Sequence, residues 1–368
     1  MLLAKPEKRH WRENNPMQKL RVIQWTTGKV GKLATRAILD DPRLELVGMF
    51  AHSADKAGKD AGELCGRPET VTGVKATSDI DALVALGADT VMYTPFEADL
   101  DTAVKLLENG MDIVSTNMFL NLGGIEGEVK ASLEAACQRG NSSLYITGIN
   151  PGWINSVVAS LTAGCRRMDC VSMTESADCS VYESVETWSF LGMGEKPGGE
   201  PGGVTPELME RARAWLILFR DAVQRMGDAL EFTFDDIAFF CDYATAAETV
   251  DLGWFKMEKG TNAALRGGWE GKIGGKVRVR LTVVWYLTKQ LAEGWEIDPD
   301  QYHFTIEGDP SVDVRMRITP PAHWKNHDWD TTTALPAVSA IPDIKKARAG
   351  ILGLVDVGLP RAPAGLWT

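Results

Sequence analysis

Long apolar runs are missing from these 368 residues, and no stretch is long and charge-free enough to cross a bilayer. No signal peptide is expected either. The opening MLLAKPEKRHWRENNP has no apolar core and reads as a disordered extension over residues 1–16. The six cysteines, Cys65, Cys137, Cys165, Cys170, Cys179 and Cys241, include no C-x-x-C pair. That spacing argues against a disulfide framework and fits reduced thiols in a cytoplasmic protein. Basic residues are outnumbered, 39 Lys and Arg against 50 Asp and Glu, for a net charge of −11. Without a basic stripe, neither nucleic acid nor an anionic membrane is an expected partner. No G-x-S-x-G nucleophile turn and no full P-loop occurs. His323 and His327 have the spacing of zinc ligands on a helix, but they follow Pro320-Pro321 and no H-E-x-x-H glutamate accompanies them. No metal site is expected.

What is present is a globular composition, 44% hydrophobic and 24% charged, in a chain long enough for two domains. The organising stretch is Leu20 to Lys32. Val22, Ile23 and Trp25 read as a short buried strand. Thr26-Thr27-Gly28-Lys29-Val30-Gly31 follows, and Leu33 to Leu39 has the apolar spacing of a helix. Strand, glycine turn and helix form the first unit of a dinucleotide-binding fold. Gly28 lets backbone approach a pyrophosphate, Gly31 lets helix pack on strand, and the helix start offers unpaired N–H groups to an anion. Thr26 stands where the first glycine of G-x-G-x-x-G belongs, and its hydroxyl is expected to add to the phosphate cradle.

The next strand, Leu44–Phe50, ends where such folds meet the adenosine ribose. No acid stands at Ala51, His52 or Ser53, and Ser53 and Lys56 suit the extra phosphate of NADP; the nearby Asp55 leaves NAD open. Strands then alternate with helices through Thr90–Thr94, Leu100–Asn109, Asp112–Thr116, Gly127–Arg139 and Ser143–Gly148, with Asp79 as the cap of a short earlier helix. This predicts a Rossmann-type, doubly wound, mostly parallel sheet over 17–154. Ligands on such sheets bind beyond the carboxyl ends of the strands. The loops there carry Thr94 and Pro95, Glu97, Asn117 and Phe119, and Asn150 and Trp153. Asn117 and Asn150 suit a nicotinamide carboxamide, and Phe119 and Trp153 an apolar pocket wall. Glu97 is the lone carboxylate of the cluster; its ordinary reading is a negative charge at the start of the following helix.

After Trp153 the pattern changes to an α+β domain over 155–331. Strand-like pieces at Asp169–Glu175 and Cys179–Tyr182 precede a Pro/Gly-rich loop at 194–203 and a long helix at Pro206–Met226. Alternating segments at Phe232–Phe234, Ile237–Tyr243, Thr245–Leu252, Thr261–Trp269, Lys276–Leu287 and Ser311–Ile318 then predict an antiparallel sheet. The tail, 332–368, is expected as a helix over Thr332–Ala349 that returns to the first domain.

With these pieces placed, the chain resembles the native amine dehydrogenases, which have dihydrodipicolinate-reductase-like N-terminal domains. The resemblance rests on Val22-Ile-Gln-Trp-Thr-Thr-Gly-Lys-Val-Gly31, His52-Ser53 with Asp60-Ala-Gly-Glu-Leu64, Tyr93-Thr-Pro-Phe-Glu97, Ser115-Thr-Asn117 and Gly148-Ile-Asn-Pro-Gly-Trp153. It implies reversible, NAD(P)H-dependent reductive amination of a small ketone or aldehyde with ammonia, a homodimer, and Glu97 as the catalytic carboxylate. Tyr182 joins Phe119 and Trp153 as a pocket residue. The paired histidines and the lysine–serine–glycine–threonine segment of dihydrodipicolinate reductase find no match, which disfavours that reaction. A diaminopentanoate-type or other amino-acid dehydrogenase stays open, because Glu175, Asp178 and Glu183 supply further negative charge. So does a non-enzymatic NADP-binding sensor.

Overall fold

The computed structural model describes residues 19–198, 203–298, 301–324 and 326–362. The extension expected over 1–16, residues 199–202 of the Pro/Gly-rich loop and the His327 side chain lie outside the described residues. The chain forms two compact units. One runs to Ser156 and resumes at His327; the other is Val157–Asn326.

The first unit opens with β1 (Leu20–Trp25), α1 (Lys29–Asp40), β2 (Leu44–Phe50), α2 (Ala61–Leu64), β3 (Ala76–Thr77) and α3 (Ile80–Ala85). It continues through β4 (Thr90–Tyr93), α4 (Leu100–Glu108), β5 (Asp112–Ser115), α5 (Gly127–Gly140), β6 (Ser143–Ile146) and the start of α6 (Ile154–Leu161). The second unit holds β7 (Arg167–Asp178), α7 (Val185–Phe190), α8 (Pro206–Trp215), α9 (Ile217–Ala229), β8 (Asp236–Thr245), β9 (Val250–Asp251) and β10 (Lys256–Met257). β11 (Asn262–Ile273), β12 (Lys276–Tyr286), β13 (Tyr302–Asp309) and β14 (Val312–Met316) complete it. The chain then returns to the first unit with α10 (Thr331–Ile344) and β15 (Gly350–Leu352).

The first sheet has seven parallel strands in the order β15-β6-β5-β4-β1-β2-β3. Strand order reverses between β1 and β4, as in a doubly wound dinucleotide-binding sheet. Side chains alternate between two cores. Val22 and Met92 join α1 and α10 on one face, while Ile23, Val91 and Tyr93 join α4 and α5 on the other. This double burial explains why these strands read as continuous apolar runs. Asp79 caps α3 as expected, accepting from the Ala82 N–H at 3.0 Å.

The tail departs from expectation. α10 stops at Ile344, and Gly350–Leu352 becomes a strand parallel to β6 instead of more helix. Gly350, at φ 119°, cannot propagate a helix, and its N–H donates to Ser142 O. Ile351 N–H donates to Glu134. Lys345 fastens the end of α10 by ion pairs to Asp89 at 3.4 Å and to the fully buried Asp112 at 3.6 Å.

The second sheet runs β14-β13-β7-β12-β11-β8. It is mixed, because β7 and β12 pair in parallel and the other neighbours are antiparallel. Residues 179–182 form a turn beyond β7 rather than a strand, with Tyr182 N–H donating to Cys179 O. Phe232–Phe234 lies outside any strand, and the long expected helix breaks at Leu216 into α8 and α9. Among the described residues no helix is long and apolar enough to cross a membrane.

Candidate active site

β1 ends at Trp25 and α1 begins at Lys29, so residues 26–28 turn at the point where strand order reverses. Thr26 has φ 77°, a strained left-handed conformation for a β-branched residue. A buried network holds it. Gln24 Nε2 donates to Trp25 O, Thr26 O and Thr94 Oγ1 at 2.9–3.2 Å. The Thr26 hydroxyl donates to Thr94 O at 2.9 Å, and the Thr94 hydroxyl to Trp25 O at 2.8 Å. The Thr26 hydroxyl proton is therefore spent on β4, and what Thr26 offers a phosphate is the path of its backbone. Sequence reading passed over Gln24, whose signal was a lone amide inside an apolar strand.

Gly31 is sterically required, because a Cβ there would lie 2.5 Å from Thr26 O. Gly28 is different. It is the N-cap of α1 and supplies no side-chain cap, no acid stands in the first turn, and a Cβ on it would meet nothing within 4 Å. Buried Thr27 lies before it, and the Val30 side chain turns into the core. An open approach to an uncapped helix start fits the pyrophosphate of a nicotinamide dinucleotide.

Beyond β2, His52 stands edge-on to Phe50 with ring centroids 4.7 Å apart. Ser53 is exposed and Lys56 partly so, and the Lys56 N–H donates to Ser53 O, which places both on one turn. Asp60 ends this segment and accepts from Gly62 N, Thr72 N, Thr72 Oγ1 and Gly73 N. Burial acts to raise its carboxyl, but the hydrogen bonds from Thr72, Gly62 and Gly73 outweigh it and hold the carboxyl below its usual range. Asp60 fastens the backbone of this region.

Under the strand ends runs a row of rings. Trp25 stacks on Phe50 at 4.2 Å and meets Tyr93 at 6.1 Å, and Tyr93 stacks on Phe119 at 6.1 Å. Register lines up the first three, since Trp25 pairs with Phe50 on one side and Tyr93 on the other. Phe119 was expected to wall an open pocket. It is instead fully buried as the fourth ring, turned inward by a left-handed φ of 59°. Its contribution is to the floor beneath the loops.

Glu97 lies in the turn between β4 and α4, exposed to solvent. Its ordinary reading as a helix charge weakens here, because Asp99 is the N-cap, accepting from Thr102 N at 2.6 Å, and Asp101 is the acid of the first turn. Among the described residues its carboxylate has no hydrogen-bond or ion-pair partner. The turn around it is tightly held. Asn117 Nδ2 donates to Pro95 O at 3.1 Å and Phe96 O at 2.8 Å, while its Oδ1 accepts from Phe119 N at 2.6 Å. Asn121 Oδ1 accepts from Ala98 N and its Nδ2 donates to Ala98 O. Asp99 N donates to the Tyr93 hydroxyl. Asn117, expected to bind a carboxamide, has both ends of its side chain engaged by protein backbone.

Asn150 precedes a cis bond to Pro151 in the loop after β6. Trp153 opens on a shallow cleft with Tyr145, Thr147, Pro336, Ala340 and Asp343, apart from the 94–99 turn. Tyr182 belongs to the second unit, half exposed and edge-on to Trp188. Glu175, weighed as a handle for a second amine, accepts from Trp285 Nε1 at 3.4 Å. The cysteines are free, and burial pushes five of them up, Cys137 to about 12. Those five are poor nucleophiles.

Residues 22–140 match the family model of the dihydrodipicolinate reductase N-terminus. Over 354 residues the chain is 28% identical to an amine dehydrogenase of Streptomyces virginiae, covering 92% of this chain and 96% of that protein. The chain is an amine dehydrogenase homologue. Its fold matches the solved amine dehydrogenase of Mycobacterium smegmatis with a TM-score of 0.68, at 18% identity, over 94% of this chain and 98% of that one. Likeness to the 4-hydroxy-tetrahydrodipicolinate reductase of Burkholderia multivorans, at 30% identity, spans only 32% of this chain and 42% of that protein. The homologue is thus an amine dehydrogenase-like, NAD(P)-dependent oxidoreductase, and its match to the reductase family model lies at residues 22–140, within the first unit.

Proposed function

We propose that this homologue catalyses reversible reductive amination of small ketones or aldehydes with ammonia, using NADPH in preference to NADH and Glu97 as the catalytic carboxylate. The observation that carries the reading is Glu97 itself. Among the described residues it is a carboxylate without a hydrogen-bond or ion-pair partner, in the turn beyond the end of β4, the strand that pairs with β1. Full-length likeness to an amine dehydrogenase supports the same assignment.

The nicotinamide, when bound, supplies the hydride that reduces the substrate carbon. The start of α1 at Gly28 holds the pyrophosphate, and Ser53 and Lys56 take the 2′-phosphate. Glu97 attracts ammonium and accepts its proton, which frees the nitrogen lone pair to attack the carbonyl carbon. Glu97 then returns that proton to the hydroxyl of the carbinolamine, the C–O bond breaks, and the hydroxyl leaves as water. The substrate becomes an iminium cation, and the regenerated Glu97 carboxylate offsets its charge. The attraction strengthens as solvent is excluded. The engagement of Glu175 by Trp285 argues against a second amine handle there.

The test follows NADPH and NADH oxidation by a panel of small ketones and aldehydes, with and without ammonium. Oxidation is expected only with ammonium, with the amine as product. Equal rates without ammonium, yielding the alcohol, would overturn the reading.

A further inference from the structure

The residue between the fixed points of the 94–99 turn is Glu97. On its N-terminal side the carbonyls of Pro95 and Phe96 both accept from the Asn117 side chain. On its C-terminal side both backbone groups of Ala98 pair with the Asn121 side chain, N–H to Oδ1 at 3.0 Å and Nδ2 to C=O at 2.8 Å. One residue further, the N–H of Asp99 meets the Tyr93 hydroxyl at 3.1 Å. Both asparagines come from the connection between β5 and α5. That connection is itself anchored by fully buried Phe119, whose N–H donates to Asn117. An amide side chain of this length offers an acceptor and a donor side by side, and ionised aspartate has no donor and leucine neither group, so either residue at these positions breaks the arrangement. The hydrogen bonds of both asparagines to the turn go to its main chain. This clamp fixes main chain on either side of a carboxylate that, among the described residues, has no hydrogen-bond or ion-pair partner.

We propose that Asn121 and Asn117 are positioning residues that hold the Glu97 carboxylate where the reaction needs it, so that their loss lowers turnover and leaves nucleotide binding intact. This rests on the reading of Glu97 as the catalytic carboxylate. A short surface turn without such a clamp samples several paths, and a misplacement of about 1 Å costs on the order of a hundredfold in rate.

The test compares four full-length variants. Asn121→Ala removes one arm. Asn117→Asp keeps the acceptor for Phe119 N–H while removing both donors to Pro95 and Phe96, which separates the clamp from the fold of the Phe119 turn. Asn121→Asp keeps the acceptor for Ala98 N–H and loses the donor. Glu97→Gln reports on the underlying reading. Each is assayed for kcat and KM in ammonium-dependent NADPH oxidation, for NADPH affinity by fluorescence, and for amide exchange at Ala98 and Asp99. Asn121→Ala and Asn117→Asp are expected to lower kcat about ten- to hundredfold with NADPH affinity unchanged. Faster exchange at Ala98 accompanies the loss in Asn121→Ala, and Asn121→Asp falls between it and the parent. Parental kcat in Asn121→Ala and Asn117→Asp, with Glu97→Gln inactive, would overturn the positioning role and leave Glu97 in place. A kcat loss matched by an equal loss of NADPH affinity would also overturn it, as general loosening. Full turnover by Glu97→Gln would overturn the reading beneath both.

Discussion

The two units bury their sheets differently. In the first, β4, β5 and β6 are buried at every residue, with helices against both faces. In the second, β14 alternates between half-buried and exposed residues, and salt bridges such as Arg266–Asp242 and Arg280–Glu270 join β8, β11 and β12. A parallel sheet aligns all its carboxyl ends on one edge, so loops far apart in sequence converge there. An antiparallel pair alternates its ends, so its side chains do more to build a surface than to gather loops. The first unit concentrates polar groups beside open backbone; the second stores its stability in packing, as where fully buried Trp269 donates to Leu216 O.

Four substitutions sharpen or break that contrast. Glu97→Gln should lower kcat for amination by about 10²–10⁴-fold while nucleotide affinity stays unchanged. A parental rate would remove chemistry from the first unit's loops. Trp269→Ala should cost about 3–5 kcal/mol of stability in denaturant titration, again with nucleotide affinity unchanged. If nucleotide binding weakened in parallel, the division of labour between the units would fail. Gly31→Ala should do both things at once, because its Cβ meets Thr26 O. The expected loss is about 1–3 kcal/mol in stability, with weaker cofactor binding by titration. Lys56→Ala should be the mildest, weakening NADPH about three- to tenfold with no change for NADH. Equal effects on both would move the phosphate contact elsewhere.

The same contrast governs what could be read from sequence. β1, its glycine turn and α1 were legible because all three neighbours lie within about twenty residues and each carries a distinct periodicity. Asp79 was legible as a cap for the same local reason. β15 was not, since three residues preceded by a helix have too short a pattern, and their partner β6 lies about two hundred residues earlier. β13 was missed although Tyr302, Phe304 and Ile306 alternate inward. Its neighbours β7 and β14 lie on opposite sides in sequence, so no hairpin turn flagged the pair with β7. In the site, Phe119 was mistaken for a pocket wall, because an aromatic at a strand end looks alike whether it faces a ligand or a neighbouring ring. Asn121 and Gln24 escaped notice because their role is to satisfy backbone, which only the folded turn defines.

The return of the chain to β15 has a consequence for how the protein is made. The nucleotide-binding unit is split in sequence, and Val157–Asn326 is translated between its two pieces. At about 5–20 residues per second, the ribosome spends on the order of ten seconds or more on the intervening unit before α10 begins to emerge. During that interval the residues of β6 that β15 later pairs with, and the apolar positions of β1 and β4 beneath α10, lack their final partners. The second unit is contiguous and can complete its sheet first. The sheet of the first unit therefore cannot be completed until α10 and β15 have emerged, whereas that of the second can be completed before them.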